Sequence, residues 1–157
     1  MKKSIVVIMI LVGTLSCNNE VDYSARDINW DRDICVTCLM GLAEQEYSVQ
    51  AINPEGKVIW FDDLGCLIEY MDYPEWEKFN GDESKIWIGE CDHGGWIDAH
   101  EAYYRYGDKT PMGYGYGAMK QANDSSFDFN TTIQRIKDGI TMREAFLKAK
   151  GMSVSND

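Results

Sequence analysis

The stretch Glu46–Met71, EYSVQAINPEGKVIWFDDLGCLIEYM, decides the fold. Glu46 to Ile52 alternates in side-chain character, Asn53-Pro54-Glu55-Gly56 has the composition of a turn, and Lys57-Val58-Ile59-Trp60-Phe61 is β-branched and aromatic. Two such runs about a Pro/Gly turn predict a β-hairpin. Asp62 and Asp63 then offer side-chain acceptors for the orphan N–H groups of a helix start. Leu64, Leu67, Ile68 and Met71 recur at three- and four-residue spacing, which predicts an amphipathic helix stopped by Pro74. Cys66 falls one step off that apolar face and reads as a packed thiol rather than a ligand.

Towards the C-terminus, Ser84 to Cys91 has strand character, and Gly94-Gly95 breaks it. Trp96 to Tyr106 is aromatic and extended, and Thr110 to Gly117 is glycine-rich and predicted to be an irregular loop. Two helices close the chain. One covers Thr131 to Lys137 and stops at Asp138-Gly139; in the other Thr141 and Glu144 have capping-box spacing. Hairpin and helix thus occur twice with no sign of a second domain. The expected class is α+β, one domain over residues 34–157.

Residues 17–33 are polar with little periodicity and read as a flexible tether. Before them, Lys2 and Lys3 precede an apolar run from Ile5 to Val12, and small residues lead to Cys17. That is the layout of a secretory signal over residues 1–16, with an apolar run too short to span a bilayer. A cysteine at the cleavage point resembles the lipobox of bacterial lipoproteins, which implies a diacylglycerol thioether on Cys17. Asn18, rather than aspartate, follows it, which favours the outer membrane, facing the periplasm. The alternative is an ordinary cleavable signal followed by a free thiol.

Removing residues 1–16 from 157 leaves 141, enough for one domain with its own core. With Lys2 and Lys3 gone, 15 basic residues become 13 against 26 acidic, a formal charge of -13. Such a surface repels nucleic acid and anionic headgroups, so no nucleic-acid partner is expected and the membrane is met only through the lipid.

The sharpest local chemistry is Cys35-Val36-Thr37-Cys38-Leu39-Met40, two thiols and a thioether within six residues. Thiolates and thioethers select Cu(I), whereas calcium or magnesium would take oxygen. In an extended chain Cys38 and Met40 share a face, and Cys35 joins them only through a turn. A Cys35–Cys38 disulfide is the rival; zinc lacks a second ligand pair. Met112, in Thr110-Pro111-Met112-Gly113-Tyr114-Gly115-Tyr116-Gly117, is a further soft donor or a buried anchor. His93, beside Cys91 and Asp92, is a second-tier copper ligand, as is His100.

In order, these pieces resemble the NosL family of copper-binding lipoproteins linked to nitrous oxide reductase maturation. The matching elements are Cys17, Cys35-Val-Thr-Cys38-Leu-Met40 and Trp60-Phe61-Asp62-Asp63-Leu64-Gly65-Cys66. With them go Trp96-Ile97-Asp98-Ala99-His100-Glu101-Ala102-Tyr103-Tyr104 and Thr110-Pro111-Met112-Gly113-Tyr114-Gly115. The resemblance implies two ββα-like halves, similar to the organomercurial lyase core, and one Cu(I) delivered to nitrous oxide reductase or another periplasmic cuproenzyme. It implies Cys38 and Met40 as ligands, with a third donor from Met112, Cys35 or a histidine such as His93. Such a chain is a copper chaperone and not an enzyme. The rival activity is a periplasmic thiol-disulfide oxidoreductase using Cys35 and Cys38; an aromatic-lined binding module is a further alternative.

Overall fold

The predicted hairpin is present: β1 (Val49–Ile52) pairs antiparallel with β2 (Val58–Phe61), Val49 opposite Phe61 and Ile52 opposite Val58. The computed structural model describes residues 20–152. Asn53 makes the turn, its side-chain oxygen accepting from the N–H groups of Glu55 (3.0 Å) and Lys57 (2.9 Å). Asp63 caps the helix that follows, α1 (Leu64–Tyr70), with its Oδ1 accepting from Gly65 N–H at 3.3 Å. Pro74 does not stop α1, which ends at Met71. It opens a second short helix, α2 (Pro74–Lys78), where a missing N–H costs nothing.

After a 3-10 turn at Gly81–Glu83, β3 (Lys85–Gly89) pairs with the free edge of β1, and β4 (Trp96–Asp98) extends the sheet, giving the order β2-β1-β3-β4. The run expected to be extended from Trp96 to Tyr106 is divided by a turn into β4 and β5 (Tyr103–Tyr106). β5 forms a separate hairpin with β6 (Tyr116–Met119), so the glycine-rich loop ends at Gly115 rather than Gly117. Helix α3 (Phe129–Lys137) follows its cap Asp128 and starts two residues earlier than Thr131 implied. Helix α4 (Met142–Ala149) follows Thr141, whose hydroxyl accepts from Glu144 N–H as the capping spacing predicts. The domain is α+β; β1-β2-α1 and β5-β6-α3 are its two hairpin-helix units, and the β3–β4 hairpin joins the first sheet.

The core lies between the four-stranded sheet and α1. Val49, Ala51, Phe61, Ile86 and Ile88 face Leu64, Leu67 and Ile68 across it, each side chain contributing about 1.5–3 kcal/mol on burial for the larger ones. The opposite face of the sheet also has partners, drawn from the segment expected to be a tether. Gln50, fully buried, accepts from Arg26 N–H (2.7 Å) and donates to Arg26 C=O (3.0 Å), while the Trp87 indole donates to Tyr23 C=O at 2.8 Å. Tyr23 and Arg26 are therefore held against this face of the sheet. Cys17 and the signal at 1–16 lie outside the described residues, within which no helix is long and apolar enough to cross a membrane.

Candidate metal centre

Cys35 enters the core at the open edge of β2. It bridges Trp60 in parallel, and Val36 N–H donates to Trp60 C=O at 2.9 Å. Side-chain alternation at that bridge turns Ile34 outward and Cys35 fully inward. The chain then reverses: Leu39 N–H donates to Cys35 C=O (3.0 Å) and Cys35 N–H to Met40 C=O (2.9 Å). Leu39 closes this turn at φ 61, a left-handed conformation that costs a non-glycine residue about 1–2 kcal/mol. The turn brings Cys38 back over Cys35, and Cys38 N–H points at Cys35 Sγ, 3.4 Å away.

The third thiol comes from α1. Cys66 is buried in the first turns of the helix, and its carbonyl accepts from Thr37 Oγ1 at 2.8 Å, which ties the Cys35–Cys38 turn to the helix. The Sγ atoms of Cys35, Cys38 and Cys66 all lie within 4.8 Å of one another. A metal–sulfur bond of about 2.3 Å places the sulfurs of a trigonal site about 4 Å apart, so small side-chain rotations would close this set around one ion. Cys66 thus departs from its reading as a packed thiol set apart from the ligands: it is packed, and it is also the third member of the cluster.

The protonation of the cluster is uneven. The Cys35 thiol is pushed down to about 5, chiefly because Cys66 S–H donates to it, with the N–H groups of Cys38, Asp62 and Thr37 helping against burial. Cys66 is pushed far up, because it gives that hydrogen bond and is buried; Cys38 is pushed up mainly by burial. Of the three, Cys35 is the thiol favoured as thiolate, while Cys66 and Cys38 are held towards the protonated form. Only Cys38 is partly open to solvent.

A second layer fixes α1. The Asp63 carboxylate accepts from Gly65 N–H, Thr110 Oγ1 (2.5 Å) and Met112 N–H (3.1 Å), so one buried side chain joins the helix start to the Thr110–Met112 loop. Burial pushes its carboxyl up to about 6 against those hydrogen bonds. Gly65 lies under the Tyr114 ring, where a Cβ would collide with it.

The remaining sequence candidates have other places. Met40 adjoins the turn with its side chain 48% exposed, and Met112 is half-buried against the core beside the α1 cap. His93 is not with the thiols. It sits on an exposed turn, its N–H and Nδ1 facing buried Glu90, with Nδ1 3.4 Å from that carboxylate, outside the three-thiol cluster. His100 packs edge-on against Phe129 at 4.5 Å. Cys91 also stands apart, with Arg105 Nη2 3.4 Å from its sulfur and its thiol pushed up to about 12 by burial. Cys66 had one usable signal: Gly65-Cys66 puts two small residues in the first turn of a helix, where other chain segments can approach closely.

Neither a family profile nor a curated protein matches the chain in sequence. Among solved structures it is similar to the copper chaperone NosL from Shewanella denitrificans, with 16% identity and a TM-score of 0.53 over 73% of this chain and 88% of that one. With an α+β domain and a three-thiol cluster that could hold a metal ion, the chain has a NosL-like fold.

Proposed function

We propose that the chain is a Cu(I) chaperone, exported and held by lipid on Cys17 at the periplasmic face of the outer membrane. Its cargo is one Cu(I) bound by Cys35, Cys38 and Cys66. The observation that carries this reading is the convergence of three sulfurs within 4.8 Å, joined among the described residues by no imidazole or carboxylate. A structural zinc site takes four protein ligands, and hard cations take oxygen; three soft donors suit Cu(I). Cys38, the accessible thiol, is where an acceptor's donor would enter and ligand exchange begin, with the exposed Met40 thioether beside it. Met112 supports the α1 cap from its loop and is held as a reserve donor.

The likeness in fold to NosL supports delivery to a periplasmic cuproenzyme, with nitrous oxide reductase the first client to test. The kinship to the organomercurial lyase core belongs to the same reading. The thiol-disulfide oxidoreductase alternative draws on the lowered Cys35 thiol, but an attacking thiolate must be exposed. Here the thiolate is fully buried, and the accessible thiol, Cys38, is the harder one to ionise. Binding and transfer therefore fit better than catalysis.

Titration of the reduced chain with Cu(I) against a chromophoric chelator tests the reading. It predicts one high-affinity Cu(I) per chain. If Cys35→Ser and Cys38→Ser bind as tightly as the parent, the site is wrong. Copper transfer to apo nitrous oxide reductase, compared with a non-copper control protein, tests the client.

A further inference from the structure

The cluster holds an odd number of thiols, and this has a redox consequence. Three sulfurs within 4.8 Å are close enough for any two to be joined by small rotations, and two-electron oxidation of one pair removes two of the three donors at once. A disulfide and a trithiolate copper site on these residues are mutually exclusive. Which pair closes is set by access: Cys35 and Cys66 are buried, whereas Cys38 is partly open, on the turn closed by Leu39. An external oxidant therefore meets Cys38 first. The nearest partner along the chain is Cys35, whose sulfur already faces the Cys38 N–H at 3.4 Å.

We infer that copper loading is gated by a reversible Cys35–Cys38 disulfide, and that a dithiol reductant must act on this chain before it can accept Cu(I). This rests on the proposed trithiolate site. The closing step balances as a thiol–disulfide exchange with an external disulfide, RS–SR. Cys38 gives its proton to solvent, a step that its burial slows, and the sulfur then attacks one sulfur of RS–SR, forming a mixed disulfide and releasing RS⁻. The Cys35 thiolate then displaces the second RS⁻ and closes the ring. The two cysteines give up two electrons and two protons, and the external disulfide is reduced to two thiols. Opening is the reverse exchange, driven by a dithiol that becomes the disulfide. Cys66 stays a thiol throughout, on the rigid helix, so the pocket persists and copper binding returns once the pair is reduced. Outside the cytosol disulfides form and persist, so loading requires an upstream reaction of the dithiol-reductase class.

The experiment uses the full chain in two states, one reduced with a dithiol and then freed of it, the other treated with oxidised glutathione. Each is titrated with Cu(I) in the absence of reductant and mapped by peptide mass spectrometry without reduction. The expected result is one Cu(I) per reduced chain, a Cys35–Cys38 link in the oxidised chain with stoichiometric copper binding lost, and recovery of binding on dithiol treatment. A reduced chain that binds copper while the oxidised chain binds it equally well overturns the gate and leaves the copper site standing. A Cys35–Cys66 link overturns the assigned pair. A reduced chain that binds no copper overturns the site itself and the gate with it. Cys66→Ser supplies an independent arm: the Cys35–Cys38 link still forms, and its failure to form contradicts the order of access.

Discussion

Replacing Cys66 with serine removes one sulfur and leaves the helix, its cap and the packing volume nearly as they are. Four-ligand zinc sites bind with apparent free energies of about 10–16 kcal/mol, so one ligand is worth about 2.5–4 kcal/mol, or roughly 60- to 700-fold in affinity. Part of that gain is offset in the parent, because Cys66 must give up a proton that burial and the Cys35 thiolate hold tightly. The expected loss at neutral pH is therefore at the lower end, about 100-fold. The protons give a second readout. Cys35 is already ionised near neutrality while Cys38 and Cys66 are not, so copper binding expels protons from the latter two, and parent affinity falls as pH is lowered. Serine keeps an O–H to donate to Cys35 in place of the lost S–H, so the Cys66→Ser chain expels fewer protons and shows a shallower pH dependence. Competition against a chelator of known Cu(I) affinity at several pH values measures both. Equal affinity and an equal pH slope in parent and variant would refute the three-thiol assignment.

Other consequences follow from the same contacts. Gly65→Ala drives a methyl group into the Tyr114 ring; overpacking of this kind costs about 1–3 kcal/mol, visible as a fall in Tm in a thermal melt. Burial pushes the Asp63 carboxyl up to about 6 in the folded state, above the ordinary carboxyl value of 3.8. The folded state then binds the extra proton between about pH 4 and 6, so Asp63 contributes a loss of stability as pH rises through that window, of order 3 kcal/mol when complete. Asp63→Asn removes this loss, and urea unfolding should show the variant gaining on the parent between pH 4.5 and 7; parallel pH profiles would contradict it. His93→Ala and Cys91→Ser, both outside the cluster, should leave Cu(I) affinity within about twofold of the parent in the same chelator competition.

The first hairpin and the α1 start were legible because each is local. Asn53 and Gly56 set the turn, Asp63 sets the cap, and the apolar spacing sets the buried face. Cys35 and Cys38 were legible as a pair for the same reason. Cys66 was not, because an amphipathic helix was read as having one buried side. Helix α1 is buried on more than one side: Gly65 admits the Tyr114 ring, and the Cys35–Cys38 turn covers Cys66. His93 misled in the opposite way. Its neighbours in sequence are Cys91 and Asp92, yet the turn aims its ring at Glu90 and solvent, whereas Cys91 and Asp92 face Arg105. The supposed tether was hidden by Gln50 and Trp87. Their polar atoms suggest a solvent-facing side of the sheet, but here they bind backbone of the N-terminal segment.

Sulfur coordination of the bound ion is the central claim, and X-ray absorption at the copper edge on the reduced, Cu(I)-loaded chain reads it directly. Three sulfur scatterers at about 2.3 Å with no nitrogen or oxygen shell are expected, falling to two sulfurs in Cys66→Ser. A parent spectrum with an imidazole shell, or an unchanged sulfur count in Cys66→Ser, would contradict the site.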